Sequence, residues 1–265
     1  MHAFEYHRPA SSKDALALAG SKSEGRFLAG GQSLVQAMKL RLSSPTDLID
    51  LGSLKELSGI KVSGGTVEVA AMTRHADVAG SAEVKKAIPS LAAMAALIGD
   101  RQVRHMGTIG GSLANNDPAA DYPAAVLALN ATVVTNKRKI AGDQFFKGLY
   151  ETALEPGELI TSVSFQVPKR GAYMKFRNPA SRFALVGVYV VDFGGNVRVG
   201  VTGAGPNAFR QTEMEKALSS KFAPDAVASI KVKPDGLNND MHASPEYRAH
   251  LITVMGKRAV EAALK

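Results

Sequence analysis

The sequence predicts an α+β fold, on three observations. Over the first two-thirds of the chain, short segments rich in Val, Ile and Phe alternate with stretches of helical spacing, and Gly-Gly pairs punctuate them. From about residue 169 the texture changes to an antiparallel meander followed by helical stretches. A hydrophobic content of 45% against 21% charged residues is that of a chain with an ordinary packed core. At 265 residues the chain is long enough for two domains. The boundary follows Pro168, giving a domain over 1–168, divided near residue 56 into parts 1–56 and 57–168, and a second domain over 169–265.

In 1–56, "DALALAG" reads as a helix, with Ser12 or Asp14 available near its N-terminus. "RFLAG" is a brief strand running into Gly30-Gly31. "SLVQAMKLRL" places Leu34, Met38 and Leu42 at helical spacing behind Ser33 as N-cap; Pro45 ends it, and "DLIDL" returns as a strand. In 57–168, "GIKVSGGTVEVAAMT" is a pair of strands around a Gly-Gly turn. "HADVAGSAEVKKA", "PSLAAMAALIG" and "YPAAVLALN" are helical, the last with Pro123 in its first turn. "ATVVT" and "LITSVSFQV" are strands, and Lys137-Arg138-Lys139 is a turn after the first. In 169–265, "AYMKF", "FALVGVYVVDF" and "NVRVGVTGAG" form the meander, turning at Gly194-Gly195-Asn196. Three helical stretches close the chain.

Composition excludes several functions. With no cysteine, the chain cannot form disulfides, thiolate zinc sites, cysteine nucleophiles or iron–sulfur ligation of its own. The six histidines are isolated, so no metal site is expected. The longest apolar run, Phe183 to Val191, is far short of the ~20 residues a membrane helix needs. The opening "MHAFEYHRPASSKD" has neither a basic start nor an apolar h-region, so no signal peptide and a cytoplasmic location are expected. The net charge of +8 comes from scattered lysines and arginines without a reading element, which argues against nucleic acid. It suits instead a basic surface for an acidic partner subunit or an anionic cofactor.

Two stretches share one design: an apolar strand, a Gly-Gly pair, then a small polar residue opening a helix or turn. They are "FLAGGQSL" (27–34) and "GTIGGSLAN" (107–115). Consecutive backbone N–H groups at such a place can be left facing outward toward phosphate. Two of them, with no Walker lysine and no G-x-G-x-x-G after a strand, point to a dinucleotide site that is not of the Rossmann type. "GAGPN" (203–207) reads as a turn, because Pro206 removes a donor. Asp117 and Asp121 flank Pro118, which favours a turn with capping and ribose-binding roles over paired catalytic acids. Ser112 stands outside any G-x-S-x-G elbow, so hydrolysis is not expected.

At these residues the sequence closely resembles the flavin-binding medium subunit of molybdenum hydroxylases, of the aerobic carbon-monoxide-dehydrogenase type related to xanthine dehydrogenase flavin domains. "FLAGGQSLVQAMKLRLSSPTDLIDL" and "RHMGTIGGSLANNDPAADYPA" carry the resemblance, which runs from "FEYHRPAS" through "EPGELITSVSFQVP" and more weakly to the final helix. It implies a two-part, PCMH-like FAD-binding domain followed by a C-terminal antiparallel sheet with helices. It implies non-covalent FAD held by Ala29, Gly30, Gly31, Gln32, Ser33 and Leu34 from the first loop, and by Thr108, Gly110, Gly111, Ser112 and Asn115 from the second. Asp121 matches an aspartate on the cofactor's sugar region, Lys175 a lysine near the isoalloxazine, and Ile160 an apolar residue beside the ring. Phe183 stands where a tyrosine lies in carbon monoxide dehydrogenase, and Gln32 where that enzyme has histidine, so its substrate is not implied. No residue of this chain is implied as a catalytic acid or base, because the cofactor carries the chemistry.

The resemblance further implies an oxidoreductase complex. Its small partner holds [2Fe–2S] clusters and its large partner a molybdenum–pterin centre, in a dimer of heterotrimers. Electrons would pass from the clusters through the flavin to an external acceptor. Two other readings stand beside it: a stand-alone flavin oxidase of the related fold, and a non-catalytic basic interaction module in which both loops are mere turns.

Overall fold

Strand β1 (Glu5–His7), helix α1 (Ser12–Ser21), strand β2 (Gly25–Leu28), helix α2 (Leu34–Lys39) and strand β3 (Asp47–Asp50) build the first part of the chain. The structure is a computed structural model and describes all 265 residues. β3 lies between β1 and β2 in a parallel sheet. The cap of α1 is Ser11, whose hydroxyl accepts from the Asp14 amide; neither Ser12 nor Asp14 serves as the cap, because both already lie inside the helix. Ser33 does precede α2, but its backbone is already helical and its side chain caps nothing. Ala15, Ile49, Leu51, Leu54 and Leu57 seal a small core here with Leu159.

The middle part continues through β4 (Ile60–Ser63), β5 (Thr66–Ala70), α3 (His75–Gly80), α4 (Ala82–Ala87), α5 (Pro89–Ala96), α6 (Arg101–Met106), α7 (Ile109–Asn115) and α8 (Tyr122–Ala128). It ends with β6 (Thr132–Thr135), β7 (Lys139–Ala141), α9 (Gly142–Phe145), β8 (Phe146–Gly148), β9 (Glu151–Thr152) and β10 (Ile160–Gln166). The strand order β4-β5-β10-β6-β7 is antiparallel throughout, and β8 and β9 form a separate hairpin. Helices α6 and α7 carry the stretch around the second Gly-Gly pair, which lies inside α7. Asp100 and Thr108 cap them, and each side chain accepts from the amide three residues on.

The last part is the meander β11 (Arg170–Arg177), β12 (Ala184–Asp192), β13 (Val197–Thr202) and β14 (Phe209–Arg210), then α10 (Thr212–Ser220), α11 (Pro224–Ala228) and α12 (Pro245–Ala263). β12 is buried along its whole length, which explains its near-continuous apolar run. Its residues alternate between two cores. Val186, Val188 and Val190 pack toward Leu251, Ile252 and Met255 of α12, while Tyr189 and Val191 join the large core with Tyr122, Val126 and Phe165. The meander is therefore fixed against the middle part by a shared apolar layer. No helix is long and apolar enough to cross a membrane.

Candidate functional site

One cleft stands out, of about 470 Å³, and all three parts of the chain contribute to its walls. The first wall is the segment that leaves β2. Gly31 takes φ +73°, a conformation glycine adopts without steric cost. Gly30 has no room for a side chain, since a Cβ there would lie 2.0 Å from the Met106 carbonyl oxygen. The first Gly-Gly segment thus presses directly on the α6–α7 junction, and the two glycine motifs share one site.

The backbone N–H groups of Gly30, Gly31, Gln32, Ser33 and Leu34 donate to no acceptor in the protein. All five residues line the cleft, together with Ala29, Arg26 and Phe27. A run of free donors at a concave surface is a ready anion cradle.

The second wall is α7. Its Gly-Gly pair does not expose free amides, contrary to the sequence reading. Ile109 donates to the Thr73 carbonyl, Gly110 to Ala71, Gly111 to the Thr108 hydroxyl and Ser112 to the Thr108 carbonyl. The reason is that the helix starts at Thr108, before the Gly-Gly pair, so that Thr108 takes the Gly111 and Ser112 amides and the segment after β5 takes those of Ile109 and Gly110. What α7 offers the cleft is one smooth face: Thr108, Gly111, Ser112 and Asn115, at helical spacing. Gly111 forms its floor, where a Cβ would sit 3.4 Å from that of Ala29. Gly110 faces the other way, buried against Ala71, and does not line the cleft.

The third wall is the turn before α8. Asp117 accepts from the Ala119 amide at 2.8 Å, as a turn residue does. Asp121 stands at the N-terminus of α8 but caps nothing. Its Oδ2 instead pairs with Lys175 Nζ at 2.9 Å and its Oδ1 accepts from the Tyr173 hydroxyl at 2.5 Å. Burial pushes the Asp121 carboxyl above the ordinary range, while the Lys175 ammonium and the Tyr173 hydroxyl oppose that shift. Tyr173 reaches Asp121 across β12, over Gly187, where a Cβ would lie 2.2 Å from the hydroxyl oxygen.

The fourth contribution is Ser181, Arg182 and Phe183, from the loop between β11 and β12. Phe183 is half exposed at the cleft rather than in the core. Of the residues singled out in the sequence, Ala29 to Leu34, Thr108, Gly111, Ser112, Asn115, Asp121 and Phe183 come together here. Lys175 lies behind Asp121, sealed from solvent, and Ile160 packs into the large core at the start of β10. His75, Ile98, Gly99, Val103 and Gly107 also line the cleft. Gly107 opens the second glycine motif, but no motif in the sequence marks the other four, which the packing of the helices around α6 brings to the cleft.

Comparison with known proteins places this geometry. The family described as "FAD binding domain in molybdopterin dehydrogenase" matches residues 2–169. The carbon monoxide dehydrogenase medium chain of Hydrogenophaga pseudoflava is 36% identical, over 98% of this chain and 96% of that one. The glyceraldehyde dehydrogenase medium chain of Sulfolobus acidocaldarius is 34% identical, over 97% of this chain and 96% of that one. A solved structure of reconstituted CO dehydrogenase from Oligotropha carboxidovorans superposes with a TM-score of 0.92 at 34% identity, covering 99% of this chain and 98% of that one.

Proposed function

Since the chain belongs to the FAD-binding medium subunits of the molybdenum hydroxylase family, we propose that it serves as the electron-transfer subunit of a multi-subunit dehydrogenase. In this reading it receives electrons from [2Fe–2S] clusters on a small partner subunit. It delivers them to an external acceptor, while a large partner oxidises the organic substrate at a molybdenum–pterin centre. The chain contains no cysteine, so the clusters' thiolate ligands must come from another chain. The relatives align over nearly their whole length as medium chains, which supports the subunit reading over a stand-alone oxidase or an interaction module.

The observation that carries the proposal is the row of free amides at Gly30 to Leu34, on residues that line a cleft of cofactor size. Those residues fit FAD, whose pyrophosphate carries two negative charges. The amides of residues 30–34 would hold that diphosphate, and the smooth floor at Ala29 and Gly111 would let it lie close. Ser112, Asn115 and Asp121 would hydrogen-bond the polar chain between the diphosphate and the ring. Phe183 would offer an apolar face to the ring, and Lys175 would place positive charge behind Asp121. Bound FAD would supply the redox chemistry; the chain's residues bind it, orient it and set the charge around it. Gly110 and Ile160 would act from beneath, as packing.

We also propose the division 1–168 and 169–265, a cytoplasmic location and a dimer of heterotrimers. The substrate is read on the large partner: one relative's name specifies carbon monoxide and another glyceraldehyde, at similar identity to this chain. The test compares the chain alone with the complex it forms with its genomic neighbours. Anaerobic flavin bleaching by aldehydes or N-heterocycles is expected of the complex only. Rapid bleaching of the lone chain would favour a stand-alone oxidase.

A further inference from the structure

His75 opens α3 and is 5% exposed, yet its ring lines the cleft. Its backbone N–H donates to the Gly107 carbonyl at 2.9 Å, which locks the residue against the α6–α7 junction. The ring is packed so closely there that a Cβ on Gly107 would come 2.8 Å from Nε2. Gly107 in turn touches Gly30, whose added Cβ would lie 2.9 Å from the Gly107 Cα. Gly107 therefore lies against both the His75 ring and Gly30, the first residue of the free-amide run.

The two ring nitrogens face different surroundings. Nδ1 is sealed from solvent with no hydrogen-bond partner, and the ring packs against Tyr122 at 5.3 Å between centroids. Nε2 makes no bond within the protein and is not sealed, so it opens on the cleft. Burial and the nearby Arg104 charge hold the ring neutral, with its pKa lowered to about 4. A neutral ring carries one proton. On Nδ1 that proton would be an orphaned buried donor, a state that folded proteins rarely retain. On Nε2 it points at a place where an anion is already expected.

We infer that His75 is a further cofactor-positioning residue, a neutral donor whose Nε2–H completes the diphosphate cradle begun by the amides of Gly30 to Leu34. The inference rests on the FAD reading of the cleft. Nothing in the two glycine motifs assigns this residue, which arrives from a helix some forty residues after the first loop. A neutral donor suits the position, since its bond does not depend on pH above the acid range.

The test uses the apo-chain. FAD binding is followed by flavin fluorescence in the wild type, His75→Leu and His75→Gln, the last keeping a donor near Nε2. His75→Leu is expected to weaken FAD at least about tenfold and His75→Gln to retain most of the affinity. On the wild type, imidazole ¹⁵N resonances should show a protonated Nε2 that shifts when FAD is added. ADP, which has the diphosphate without the flavin, should produce the same shift. Wild-type affinity in His75→Leu, an Nδ1–H tautomer, or a shift with FAD but none with saturating ADP would each overturn the assignment. A wild-type chain that does not bind FAD would overturn the reading beneath it, which keeps the two failures distinct.

Discussion

Lys175 Nζ and Asp121 Oδ2 lie 2.9 Å apart, with side chains only 2% and 4% exposed, so the aspartate at the cleft wall has its counter-ion directly behind it. Taking one partner away from such a pair leaves a buried charge uncompensated. Lys175→Met is therefore expected to destabilise the fold by about 3–5 kcal/mol in urea denaturation. Asp121→Ala should weaken FAD by about 1–3 kcal/mol, the ordinary cost of a lost charged hydrogen bond. Equal FAD affinity in Asp121→Ala and wild type would remove this aspartate from the site.

Gly111 gives the second prediction. Its position in α7 leaves ordinary contact distance to Ala29 and tight contact to the Thr108 hydroxyl, so a branched side chain would rise from the cleft floor. Gly111→Val should abolish flavin binding while circular dichroism stays near that of the wild type. Retained binding would mean that the floor is not where the cofactor lies.

The first glycine motif was legible because Gly30 and Gly31 do what the sequence implies: the chain turns and its amides stay free. The second was legible as a site but not as a structure. Thr108 is an N-cap type of residue, and its hydroxyl takes the Gly111 amide while the carbonyls of Thr73, Ala71 and Thr108 take those of Ile109, Gly110 and Ser112. Lys175 and Asp121 are 54 residues apart, and their pairing depends on α8 packing against β12, the strand next to β11, which local pattern cannot show. The same holds for His75, whose role depends on the contact between two glycines in separate segments. Three strands of the meander were legible, because burial of β12 on both faces leaves a continuous apolar run, whereas the two-residue β14 is too short to leave a pattern.

Glu158 supplies a pH prediction away from the cleft. Its carboxylate takes two bonds from the Arg138 guanidinium, plus the Thr135 hydroxyl and the Glu155 amide. The Arg138 bonds lead in holding its pKa down to about 2, against an ordinary 4.5. The folded value lies below the unfolded one, so the stabilisation is complete above the ordinary value and is lost as pH falls toward 2. Glu158→Gln should thus be less stable than wild type at neutral pH, with the gap closing in acid. A gap that stays constant from neutral pH down to the acid limit would show that the charge contributes nothing.

The most direct measurement titrates the purified apo-chain with FAD and then precipitates it with acid. The expected result is saturation at one FAD per chain, with all of the yellow colour released into the supernatant as FAD, because the chain has no cysteine for a thioether link. Absence of saturable binding, FMN in the supernatant, or colour retained in the pellet would contradict it.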